Sequence, residues 1–225
     1  MMTNLFSIFD PSTSLLSFKL NWTISLISLM IMPTTFWMMN NRYKLMITMP
    51  LITLNKEFKM LMNMKYNKGT TLLFTSLFMM IMVNNILGLF PHIFTSTSHM
   101  VMTLSLSMPI WLSFMMFGWV KNTESMFTHL VPTGTPSVLM PFMVCIETIS
   151  NMIRPGTLAV RLAANMIAGH LIMTLLGNTT LTASTPILPM MITIQMMLMT
   201  LETAVAIIQG YVFAVLTTLY ASEVN

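Results

Sequence analysis

An all-α membrane protein is the fold class that this sequence predicts, and three observations predict it. Charged residues make up only 7% of the chain, against about a quarter in ordinary globular proteins. Apolar residues reach 55% and mean hydropathy is +0.78, so several membrane spans are expected. The apolar residues also fall into long runs parted by Pro, Gly and polar stretches, many of them near the length that crosses a bilayer. The expected architecture is a single integral membrane domain over residues 1–225. It holds about five transmembrane helices plus one interfacial amphipathic helix, with the last two helices long, strongly tilted and paired as a hairpin.

The elements follow in order. No basic n-region precedes the first apolar stretch in MMTNLFSIFDPSTS, so residues 15–32 are expected to be a retained span rather than a cleaved leader. Lys19 snorkels at one end and Pro33 ends the span. Six of the ten basic residues (Arg42, Lys44, Lys56, Lys59, Lys65 and Lys68) then cluster together. Within residues 45–66, Leu51, Leu54, Phe58, Leu61 and Met62 keep helical spacing while Lys56, Lys59 and Asn63 lie on another side. That pattern describes an amphipathic helix in the interface. By the positive-inside rule this loop faces the compartment of synthesis and the N-terminus faces the opposite one.

Residues 70–90 form the next span, interrupted by Asn84 and Asn85 and closed by Pro91; residues 100–119 form another, with Pro109 inside and Trp111 and Trp119 as interface anchors. KNTESMFTHLVPTGTPS reads as an exposed loop in which His129 is solvated. The two last segments, 138–176 and 189–221, would each be about 50–55 Å long as continuous helices, against a hydrocarbon core of about 30 Å. They must tilt strongly or break, and Pro155-Gly156 is where the first would kink. Tilted helices are preferred, because Ala163, Ala164, Ala168 and Gly169 on one and Ala204, Ala206, Gly210 and Ala214 on the other permit close approach. Cys145, the lone cysteine, sits in an apolar run as a small core hydrophobe. The thirty methionines spread through every apolar segment, which points to biased coding rather than a Met-rich binding surface.

Polar residues in these segments carry the chemistry. Glu147, Asn151, Arg154, Arg161 and Asn165 are spaced by four, three, seven and four and share one helical stripe. His170 lies on the far face from Arg161, about 13 Å further along the axis. Gln195, Glu202 and Gln209 share a face of the last helix. Neither stripe can face hydrocarbon, so a water-filled path or a protein interface is implied. Arg161 lies among Leu158, Ala159, Val160, Leu162, Ala163 and Ala164, with no carboxylate nearby in sequence. A guanidinium is never deprotonated and has five donors, so it relays no proton but can hold and release a carboxylate supplied by a partner. Glu147, His170 and Glu202 can titrate. The plainer readings stand beside these: an internal ion pair for Arg161 with Glu147 or Glu202, a satisfied core histidine for His170, interhelical bonding for Asn165 and Gln209, and an interface-reaching Arg154.

Other chemistries find no support in the sequence. There is no phosphate-binding GxxxxGK[ST] loop, since Asn67-Lys68-Gly69-Thr70 has the wrong order and spacing. Four scattered histidines and one cysteine make no metal site. No cofactor, nucleotide site or nucleic-acid surface is expected. An ion-translocating respiratory subunit would carry mid-span lysines, absent here after Lys68, and for a purely structural adaptor the surroundings of Arg161 would be a gratuitous cost.

The segments ETISNMIRPGTLAVRLAANMIAGHL and LETAVAIIQGYVFAVLTTLY, with NNILGLFPHIFTSTS and HLVPTGTPSVLMPF, closely resemble the subunit a family of F-type ATP synthases in its mitochondrial, arthropod-like form. The match is dense from Asn84 to Tyr220. The resemblance implies a proton-translocating stator subunit with two offset half-channels, clasping a rotating c-subunit ring with two nearly horizontal helices. It implies that Arg161 is the essential arginine engaging each ring carboxylate, with Asn165 and Gln209 beside it and Asn151 as a further polar support on the stripe. His170 and Glu202 fall on the pair of the half-channel open to the intermembrane space; bacterial relatives carry that acid and basic residue exchanged. Glu147 falls on the matrix half-channel. Arg154 departs from the glutamine of vertebrate relatives and is given no catalytic role. Implied partners are the c-ring, other membrane-sector and peripheral-stalk subunits, the lipid bilayer and protons. The implied place is the mitochondrial inner membrane, with the N-terminus toward the intermembrane space and the 42–68 segment and C-terminus toward the matrix.

Overall fold

The computed structural model describes residues 6, 9–13, 18–31, 41–62, 69–91, 93–131, 136, 138–182, 184 and 186–224. Among these the chain is helical: α1 Ile24–Ile31, α2 Arg42–Leu61, α3 Thr70–Gly88, α4 Met100–Lys121, α5 Thr123–Leu130, α6 Met140–Thr182 and α7 Leu188–Val224, with 3-10 turns at Leu20–Thr23 and Ser96–Ser98. Helices α3, α4, α6 and α7 are each long and apolar enough to cross a membrane. Of the first expected span, the turn at Leu20–Thr23 and α1 are described; residues 15–17 and 32 lie outside the described residues, as do Lys65 and Lys68 of the basic region.

α2 is amphipathic in its packing. Phe58 and Met62 are buried, Leu51 and Leu54 pack beside them, and Lys56, Glu57 and Lys59 are exposed. Leu61 is exposed although its spacing suggested the packed side. The 3.6-residue turn sets Met62 about 40° from Phe58 on one side and Leu61 about 60° on the other, and the packed face takes Met62.

α3 packs chiefly against α7, with α1 and α2 beside it, while α4 packs chiefly against α6. Gly69 starts it at φ +99°, a left-handed conformation that an L side chain resists. Phe74 and Phe78 join Phe58, Ala214 and Ala221 in one apolar cluster, and Ile81 joins Leu158, Leu162 and Phe213 in a second. Asn85 is fully buried and donates from Nδ2 to the Ala206 carbonyl at 3.3 Å. A methyl group on Gly210 would meet the Met82 backbone nitrogen at 3.5 Å. The small residues Ala206, Gly210 and Ala214 of α7 therefore seat against α3. This corrects the expectation that they serve the contact with α6. α6 and α7 do touch, but larger side chains from α6 (Leu158 and Leu162 around Phe213) fill that junction. Ala164, Ala168 and Ala204 are exposed.

α6 runs unbroken through Pro155 for 43 residues, about 64 Å at 1.5 Å per residue. Proline removes only the bond to the Asn151 carbonyl, and one missing bond does not end so long a helix. The expected loop after α4 contains α5 instead, with Glu124 in its first turn, where a negative charge favours the helix dipole, and His129 in its last. The Pro and Gly residues that suggested a loop begin only at Pro132, after the helix has closed. His129 is exposed. Asn122, between α4 and α5, donates from Nδ2 to the Val224 carbonyl at 3.2 Å and ties down the end of α7. Cys145 is exposed rather than in the core, as are most residues in the first turns of α6.

Candidate functional site

The polar stripe of α6 separates into two ends. At the first, Arg154 lies 3.5 Å from a Glu147 oxygen, donates to the Glu223 carboxylate near the end of α7, and stands over the Tyr220 ring at 5.0 Å from its centroid. Arg154 thus joins α6 to α7. Glu223 was not singled out from the sequence, since it is 69 residues from Arg154 and no local spacing links them. Asn151, on the same stripe, is half-buried and makes no side-chain hydrogen bond among the described residues.

Arg161 presents the opposite picture. It is exposed, and no carboxylate approaches it within 4 Å among the described residues. Glu147 is engaged by Arg154, and Glu202 is buried elsewhere. Leu158, Ala159, Leu162 and Ala163 face inward, while Val160, Ala164, Ala168, Ile172 and Leu175 continue the exposed face. One permanent cation therefore stands on a long outward strip of small and apolar side chains. Among the described residues Arg161 forms no ion pair with Glu147 or Glu202.

At the second end, His170 and Glu202 are brought together from α6 and α7 as shared walls of two cavities. The first, of about 740 Å³, is also lined by Asp10, Asn21, Pro91 and Thr174. The second, of about 530 Å³, is also lined by Asn165, Gly169 and Val205. His170 is held by the Gly88 backbone and meets Phe9 edge-on, yet its Nε2 is buried with no partner among the described residues. Glu202 is 8% exposed and its Oε1 is likewise unpartnered. Buried polar atoms rarely go unsatisfied, and cavities this large and polar in part accommodate water. Asn165, one helical turn from Arg161, carries the wall of the second cavity toward the exposed strip. Gln209 is half-buried two turns beyond Glu202, with no hydrogen bond among the described residues. Two titratable groups that line both cavities can exchange protons with water in either; a guanidinium beyond them cannot.

Sequence reasoning read Gly169 only as a packing residue. A methyl group there would stand 3.1 Å from the Glu202 Cδ and Oε1, so this glycine makes room for the carboxyl. Gly169→Ala is expected to displace the Glu202 carboxyl by a few tenths of an ångström.

The comparisons with known proteins agree along the whole chain. A family model described as ATP synthase A chain matches residues 17–222. The protein named ATP synthase subunit a from Aedes aegypti is 62% identical over 226 aligned positions covering all of both chains, as is that from Anopheles gambiae. The Drosophila melanogaster protein of the same name is 58% identical over 225 positions, again covering both chains completely. On the family match and these full-length identities, the chain belongs to the ATP synthase A chain family.

Proposed function

We propose that this chain is the proton-conducting stator subunit of the ATP synthase membrane sector, in the mitochondrial inner membrane, and that Arg161 engages the carboxylates of a rotating ring of c-subunits. The observation that carries the reading is the exposed, unpaired guanidinium on the outward strip of α6. A charge at membrane depth is costly, by roughly 2.5–3.5 kcal/mol on insertion scales, and a cation with no acid of its own chain is compensated by one from another. Small neighbours such as Ala164 and Ala168 let a second helix come close. Protons enter at His170 and Glu202, pass to a ring carboxylate, and leave after a turn of the ring near Glu147. Arg161 blocks the direct route between the two ends. Asn165 and Gln209 flank the arginine, and Asn151 lies on the exit side. Strong tilt of α6 and α7 follows from their length against a core of about 30 Å. The N-terminus faces the intermembrane space, and α2 with the C-terminus faces the matrix, by the charge bias of the 42–68 segment.

Cysteine cross-linking tests the proposal. In a Cys145→Ser background, Ala164→Cys should form a disulfide with a cysteine placed next to the ring carboxylate, and Met116→Cys on α4 should not. No cross-link at Ala164, with assembly intact, would overturn the assignment of this face.

A further inference from the structure

Beyond the two titratable walls, the larger cavity has a third, at its mouth. We propose that Asp10 is a proton-collecting residue at the entrance to the His170–Glu202 half-channel, an inference that rests on the proposed role of that pair. Its segment is folded back on itself. The Ser12 backbone N–H donates to Asp10 Oδ1 at 3.0 Å, the Asn21 amide donates to the Asp10 carbonyl at 3.5 Å, and Thr13 donates from its backbone and hydroxyl to the Phe18 carbonyl. These bonds hold an exposed carboxylate on the rim of the 740 Å³ cavity that His170 and Glu202 line from inside. The Ser12 hydrogen bonds, with the nearby Lys19 ammonium adding to them, keep the Asp10 carboxyl below the usual carboxylate range. It is therefore ionised at any physiological pH.

A fixed negative charge at the mouth of a low-dielectric cleft raises the local concentration of cations, protons included, and speeds their arrival. The titratable and charged groups around it are Lys19 on its own segment, His170 on α6 and Glu202 on α7; Ser12, Asn21 and Thr174 are neutral. Lys19 weakens the attraction without cancelling it, because the carboxylate, unlike the lysine, lines the cavity itself. Proton supply is scarcest at alkaline pH, so the contribution of Asp10 should be largest there.

The test compares Asp10→Asn, Asp10→Glu and the parent in assembled complexes in vesicles, with initial proton flux measured against the pH of the entry side. In about 10 mM salt, where the Debye length is about 30 Å, Asp10→Asn should lower flux about two- to fivefold at the alkaline end and shift the profile to lower pH. Salt near 1 M, with a Debye length of about 3 Å, should erase the difference, and Asp10→Glu should restore the parent profile. A superimposable Asp10→Asn profile, a deficit that persists in high salt, or no rescue by glutamate would each overturn the proposal. Glu202→Gln run in parallel separates the two levels. Unchanged flux in that variant removes the half-channel reading itself, whereas blocked flux with a normal Asp10→Asn removes only the collector.

Discussion

Arg161→Ala should reduce coupled ATP synthesis in the assembled complex to below about 1% of the parent, and Arg161→Lys should fare little better. The scale follows from removing one partner of a desolvated charge pair, which costs about 3–5 kcal/mol, or about 100-fold or more in rate. On the proposed mechanism, alanine would leave each passing ring carboxylate without a counter-charge and open the direct route between the two ends of the hairpin, so protons should also leak without synthesis. Lysine keeps a positive charge but replaces a planar fork of five donors with a point charge, and a buried ammonium can lose its proton where a guanidinium cannot. The fold should tolerate both changes, because the Arg161 side chain is exposed and makes no hydrogen bond or ion pair among the described residues. That separates the function of Arg161 from that of Arg154, whose removal would leave Glu147 and Glu223 unpaired. Synthesis, proton leak and assembly are measured on the same membranes; near-normal coupled synthesis in either variant would end the proposed mechanism.

Much of this arrangement is legible in the sequence. Hydropathy and the length of apolar runs expose helices that must span lipid, and a helical stripe can be read from the intervals between Glu147 and Asn165 because the period of an α-helix is fixed. Sequence spacing says which residues share a face, yet it does not say which neighbour that face meets. Hence the small residues of α7 were assigned to the wrong partner: Ala206 and Gly210 seat on α3, where Asn85 reaches the Ala206 carbonyl. The same blindness hid Glu223, whose partner lies in another helix, and Asp10, which joins the cavity through a folded-back segment with no periodic signal. α5 is hidden for a different reason. Pro and Gly act locally, and those that mark a loop begin only at Pro132, after the short helix that carries Glu124 in its first turn has closed. Arg161 was the easiest residue to find, because a permanent cation amid alanine and leucine breaks the pattern around it.

Glu202→Gln should slow proton flux by about a hundredfold or more while leaving assembly intact, the range expected when a positioned proton-transfer group is lost. Glutamine matches glutamate in size and can still bond to water and to its neighbours, so the space against Gly169 is filled as before. What it lacks is an exchangeable acidic proton. The loss should therefore appear as a rate, not as misfolding. His170→Gln should act in the same direction but less strongly, because the 740 Å³ cavity reaches Glu202 directly as well as through the imidazole. Since both side chains line both cavities, the double variant should fall little below Glu202→Gln alone. Two groups on one path show that non-additivity, whereas independent paths would multiply their losses. Glu202→Gln with unchanged flux would take that residue off the pathway. A double variant equal to the product of the two single losses would mean that His170 and Glu202 do not share one route from the cavity to the strip that bears Arg161.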